Sequence, residues 1–151
     1  MRAGTENLPG IVGFGVAIEA ALADLAAYQD RGPLRDAMEA RLRAAEPALV
    51  VFGADRPRLS NTSCVALPGV SAELQVMALD LAGVGVSAGA ACSSGKVRPS
   101  HVLGAMGVGP DLARQAIRIS LGRDTDAADI DRLVAAWAAL ALRHRAKRDP
   151  A

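Results

Sequence analysis

The hydrophobic period of this chain changes repeatedly along its length, and each change limits what the neighbouring segment can become. Ala116 to Leu121 alternates, with Ile117, Ile119 and Leu121 on one side and Arg118 and Ser120 on the other, which is the two-residue period of a half-buried strand. Shortly after it, Ile130, Leu133, Val134, Trp137 and Ala141 recur at helical spacing, with Thr125 expected to cap that helix. Near the start, Pro9 can open a long amphipathic helix carrying Ile11, Phe14, Ile18, Leu22 and Leu25. Gly32-Pro33 breaks it, and Leu34, Met38 and Leu42 mark a second helix that ends before Pro47. Leu49 to Phe52 and Thr62 to Leu67 read as strands separated by a polar turn region. Ser71 is placed to cap a helix through Leu81 that Gly83 stops, and Val84 to Ser87 reads as a brief strand. Ala88 to Gly95 holds only Ala, Gly, Ser and Cys92 and is predicted to be a loop; Pro99 to Met106 is a short helix, and Pro110 begins another turn. This order of elements predicts an α/β (α+β) fold in which a small mixed sheet is covered by helices.

A chain of 151 residues fits one domain of ordinary size. Aromatic residues make up only 3%, so the core must be assembled from Ala, Val, Leu and Ile. Seventeen basic against sixteen acidic residues leave a formal charge of +1, so no overall field favours nucleic acid or an anionic membrane, and neither is expected as a partner. The basic run Arg143-His144-Arg145-Ala146-Lys147-Arg148 continues the last helix and is expected to be a solvated final turn favoured by the helix dipole. The opening residues lack the apolar stretch of a signal peptide, and no uncharged run reaches the ~18 residues of a membrane span. Neither export nor insertion is expected. Cys64 and Cys92 cannot make a disulfide framework, and neither has a second Cys or His at metal-ligand spacing. A reduced, cytoplasmic setting without a metal site is the expectation.

Cys92 is the candidate for chemistry. It sits in Ser87-Ala88-Gly89-Ala90-Ala91-Cys92-Ser93-Ser94-Gly95-Lys96, where no large side chain is available to bury the thiol, and Lys96 and Arg98 favour the thiolate form that acts as a nucleophile. The competing reading is a buried, inert cysteine, the commoner fate of a free thiol. Cys64, between Ser63 and Val65 in a strand, reads as structural. His101 is expected to be half-buried or capping, and Gly83-Val84-Gly85 to be a tight turn, since it follows a helix and precedes a strand.

Four blocks then carry a resemblance. Arg2-Ala3-Gly4-Thr5-Glu6-Asn7, Leu59-Ser60-Asn61-Thr62-Ser63, the stretch from Ser87 through Pro99-Ser100-His101-Val102-Leu103 to Met106, and Ala116-Ile117-Arg118-Ile119-Ser120-Leu121-Gly122-Arg123 stand in family order and spacing. Together they resemble the C-terminal portion of the cysteine desulfurases, pyridoxal-phosphate (PLP) enzymes of the class V aminotransferase-like group with fold type I. The resemblance runs from Arg2 to about Arg145. It implies the C-terminal small domain of such an enzyme over residues 48–151. Residues 1–47 would be a connecting segment and long helices that join a missing large domain.

The resemblance also implies roles. Cys92 matches the sulfur-accepting position: it would take sulfur from L-cysteine as a persulfide, with alanine released, and pass it to an iron-sulfur scaffold protein or another acceptor. Arg118 matches the arginine that holds the substrate carboxylate, and Thr5 the threonine that contacts PLP phosphate in the neighbouring subunit, which suits a dimer. The chain departs from the family pattern in its lysines. It has only Lys96 and Lys147, neither in the context of a PLP-anchoring lysine, so the chain alone is expected to be inactive and to need an N-terminal PLP-binding half or a homologous full-length subunit. Other readings are a non-catalytic module that relays persulfide or docks a partner, a decayed remnant, and a fragment of selenocysteine lyase or another class V lyase.

Overall fold

The computed structural model of the chain describes residues 4–89 and 100–148. Four strands, β1 (Val50–Phe52), β2 (Thr62–Ala66), β3 (Ser87–Ala88) and β4 (Ala116–Ser120), form one sheet in the order β1-β2-β4-β3. The helices are α1 (Leu8–Ala23), α2 (Leu25–Gln29), α3 (Gly32–Ala45), α4 (Ala72–Asp80), α5 (His101–Ala105), α6 (Pro110–Ala113) and α7 (Ala127–Arg148).

The expected small sheet with helices against it is present, but it is not mixed: every described pairing is antiparallel. A helical crossover such as α4 between β2 and β3 ordinarily serves parallel neighbours. Here β2 and β3 do run the same way, yet β4 lies between them and pairs antiparallel with both. The third strand is also shorter than Val84 to Ser87, because Val84 and Val86 pack against the core while only Ser87 and Ala88 join the ladder.

The alternation in β4 divides the molecule into two layers of packing. Ile117 and Ile119, with Leu121 just beyond the strand, face a core completed by Val65 and Leu67, by Met38 and Leu42 of α3, by Leu79 of α4, and by Ile130, Leu133, Trp137 and Ala141 of α7. Trp137, the single tryptophan, is fully buried there, and each Leu or Ile so buried contributes about 1.5–3 kcal/mol relative to exposure. On the opposite face α5 and α6 cover only one end of the sheet, through Leu103 and Ala113 against Ala66 and Ala116. The rest of that face is where Arg118 emerges.

Several local readings hold and others are corrected. Ser71 caps α4 as expected, its Oγ accepting from the Leu74 amide at 3.3 Å. Thr125 does not cap α7: its Oγ1 accepts from the Gly122 amide at 2.8 Å. Asp126 takes that position, in a reciprocal box in which Asp129 N–H donates to Asp126 Oδ1 (3.0 Å) and Asp126 N–H donates to Asp129 Oδ2 (3.3 Å). The long first helix ends sooner than Gly32-Pro33, because a break at Asp24 turns α1 by 60° from the segment that follows. No residue of α1 is buried, and Leu8, Ile11, Val12, Phe14, Val16, Ile18 and Leu22 all stand exposed. Among the described residues no single helix is long and apolar enough to cross a membrane.

Two polar ties lock the layers together. Glu39 of α3, 2% exposed, accepts both Nη groups of Arg58 (2.5 and 2.8 Å) and the hydroxyl of Ser63 in β2 (2.6 Å). Gln75 of α4 donates from Nε2 to the carbonyls of Val70 and Gln115 at 2.9 and 2.7 Å. The end of α7 is not simply solvated. Arg145 donates to the Ala45 carbonyl at 2.8 Å and pairs with Glu46, while His144 rests on Gly69, where a Cβ would lie 2.7 Å from its Nε2. Gly69 also has φ +87°, so that position is closed to other residues twice over.

Candidate functional site

Strand register builds the site. Phe52, Cys64, Arg118 and Ser87 are successive partners across β1, β2, β4 and β3, so their side chains form one row on the face that α5 and α6 leave partly open. A concavity of about 550 Å³ lies over this row. Its walls include Gly89 on one side and Ser100 with Leu103 and Met106 on the other. Gly89 and Ser100 are the described residues that bracket Cys92 in sequence, so the chain leaves β3 and enters α5 at the edges of the same concavity. Cys92 itself lies outside the described residues, as do Lys96 and Arg98.

Arg118 is exposed on β4, on the side opposite Ile117 and Ile119, as its alternation predicts. Among the described residues it has no carboxylate within salt-bridge distance, which leaves a guanidinium at the floor of an otherwise largely apolar recess. A planar fork in such a place can take a carboxylate bidentately, a geometry that an ammonium group does not reproduce. Thr5 is exposed in the coil before α1 and does not line this recess. His101 is neither half-buried nor capping. It is exposed at the first position of α5, and the cap is Ser100, whose Oγ accepts from the Leu103 amide at 3.4 Å.

Cys64 lies in a strand, as its neighbours predict. It is a half-buried thiol on β2, but it faces the Arg118 side and not the main core. Burial pushes its thiol pKa up, and the nearby Arg118 charge opposes that rise without cancelling it. The signal was available, since Ser63 and Val65 alternate with Thr62 and Cys64 and must point the other way. A second concavity, between α4 and α7, is lined by Leu74, Met77, Leu81, Leu140, Arg143 and His144, and no cysteine or serine lines it among the described residues.

The four-stranded sheet, its helical cover and an arginine presented at its open face define a class that comparison with known proteins identifies. The chain belongs to the class-V aminotransferase family, whose pattern matches residues 1–133. Within that family it is similar to cysteine desulfurases. It is 51% identical over 136 residues to the enzyme of Cereibacter sphaeroides and 42% identical over 134 residues to that of Klebsiella pneumoniae, with 88% and 89% of this chain covered. Each match covers 34% of the relative, so the chain spans about a third of their length. Among solved structures, the NifS-like protein of Rickettsia africae superposes with a TM-score of 0.77 at 31% identity, covering 90% of this chain and 35% of that one. A second NifS-like protein gives 0.78 at 28% identity, covering 92% and 35%.

Proposed function

We propose that this chain is the sulfur-accepting C-terminal portion of a cysteine desulfurase, acting with a complementary portion that carries the PLP lysine. The observation that supports it is the convergence of Arg118 with both described edges of the Cys92 segment on one recess. Similarity to cysteine desulfurases over nearly the whole chain supports the substrate, L-cysteine.

In this reading Arg118 holds the carboxylate of L-cysteine and fixes which way its thiol points. Cys92, as thiolate, attacks the substrate sulfur. The substrate Cβ–S bond breaks, its electron pair stays with the carbon, which is protonated and leaves as alanine, and the outer persulfide sulfur passes to an acceptor protein such as an iron-sulfur scaffold. The residues present do not fit PLP by themselves. Among the described residues no lysine lines the recess and Arg118 is its only cation, and the sequence holds just Lys96 and Lys147. The electron-withdrawing cofactor chemistry is therefore assigned to the complementary portion. Residues 1–47, with the uncovered apolar surface of α1, would join that portion, and Thr5 would contact the cofactor phosphate of the neighbouring subunit in a dimer.

The test is reconstitution. The purified chain is mixed with PLP, L-cysteine and a separately expressed N-terminal two-thirds of a homologous desulfurase; alanine is measured, and persulfide at Cys92 is read by mass spectrometry. Alanine and persulfide formation that need both chains, and that Cys92→Ser abolishes, are expected. Two folded partners that associate but form neither product would overturn the proposal, as would alanine formation that leaves Cys92 unmodified and persists in Cys92→Ser.

A further inference from the structure

A third concavity has the opposite character to the Arg118 recess. It measures about 460 Å³ and opens between α3 and the turn that joins β1 to β2. Arg35, Asp36, Glu39 and Arg43 come from the helix, and Arg56 and Arg58 from the turn. Arg35, Glu39 and Arg43 fall at i, i+4 and i+8, so one face of α3 delivers all three.

The guanidiniums are fixed to different degrees. Arg58 is held by Glu39, and Arg35 by Asp36 (Nε at 2.9 Å, Nη2 at 2.7 Å) and by the Leu59 carbonyl (Nη1 at 2.6 Å). Their side chains are only 18% and 11% exposed, so their remaining N–H groups are oriented before any ligand arrives. Arg43 has no carboxylate within salt-bridge distance among the described residues, and Arg56 meets only Asp55, at 3.4 Å with both side chains about 80% exposed. Such an exposed pair contributes little and yields readily to a competing anion. The four arginines exceed the two lining carboxylates, and Glu39, the deeper of these, is already saturated by Arg58 and Ser63.

We infer that this concavity is a binding site for a small multivalent oxyanion, a phosphate or polycarboxylate group received by Arg43 and Arg56 over a floor formed by Arg35 and Arg58. The buried network orients the floor, and the two exposed arginines complete the contact when the anion enters. Charge-assisted bonds from several guanidiniums make such recognition stronger than a single surface cation would.

The test uses the full, isotope-labelled chain titrated with inorganic pyrophosphate, and in a parallel arm with citrate, while backbone amide resonances are followed. Saturable shifts confined to α3 and residues 53–59 are expected. They should weaken on adding salt and require about tenfold more anion in the double variant Arg43→Gln, Arg56→Gln. Both substituted side chains are exposed, so the remaining resonances report directly that the variant is folded. Saturation by pyrophosphate alone identifies a phosphate ligand, and by citrate alone a carboxylate one. No saturation with either anion up to about 10 mM, or saturation unchanged in the double variant, would overturn the inference.

Discussion

Cys64 and Arg118 are directly opposed across the β2–β4 ladder, and their side chains share the face that carries the candidate site. Opposed residues in such a pair lie about 5 Å apart at Cβ, close enough for the guanidinium to act on the thiol. Burial raises the thiol pKa and Arg118 holds it partly down. Replacing Arg118 by Met removes the opposing charge, so the Cys64 pKa should rise further and its alkylation by iodoacetamide at fixed alkaline pH should slow several-fold. The comparison is made in a Cys92→Ser background, so that one thiol reports. An unchanged rate would show that the two groups are not coupled.

Glu39 predicts how the fold responds to acid. Its burial raises the carboxyl pKa, but hydrogen bonds from Arg58 and Ser63, with the charges of Arg58 and Arg35, outweigh that and leave it below 4.5. A carboxyl depressed in the folded state contributes stability that is present above its unfolded pKa and is lost as pH falls through the folded one. Stability should therefore decline below about pH 4.5. Glu39→Gln should flatten that decline and cost about 2 kcal/mol at neutral pH, since it leaves Arg58 with only the longer contact to Asp36, at 3.7 Å, as counter-charge. Denaturant unfolding at a series of pH values measures both effects.

The site was legible only where local pattern determines it. The outward direction of Arg118 follows from alternation alone, because Ile117 and Ile119 leave it nowhere else to point. Its opposition to Cys64 does not, because register depends on the pairing of β4 with a strand far away in sequence. The fold class was readable from the order of periods, whereas the insertion of β4 between β2 and β3 is a tertiary choice that α4 disguises as a parallel crossover. Two caps adjoin near α7, and the stronger signal was the acid three residues after Asp126, not the hydroxyl of Thr125. The break at Asp24 carries neither Gly nor Pro, and nothing local announces it.

Helix α1 separates apolar composition from apolar burial. Phe14 is 68% exposed on a helix without a buried residue, so its side chain contributes nothing to the described core. Phe14→Ser should leave folding stability within about 0.5 kcal/mol, the ordinary range for a surface change. The same substitution should reduce concentration-dependent self-association, because a contiguous exposed apolar face drives association in water. Thermal unfolding and sedimentation distinguish the two effects. A large loss of stability would mean that α1 packs on the domain after all.

Arg118→Lys is the sharpest check on the proposed chemistry because it keeps the charge and removes the fork. Arg118 is exposed and lies off the main core, so the variant should fold with unaltered stability. A carboxylate gripped by two parallel N–H groups loses one of them and its fixed orientation when a single ammonium replaces the guanidinium. In the reconstituted pair, kcat/KM for L-cysteine should fall about tenfold or more, with KM rising, while persulfide still forms slowly at Cys92. If Arg118 only balanced charge near Cys64, lysine would restore full activity, and the rate of cysteine turnover would not distinguish the two proteins.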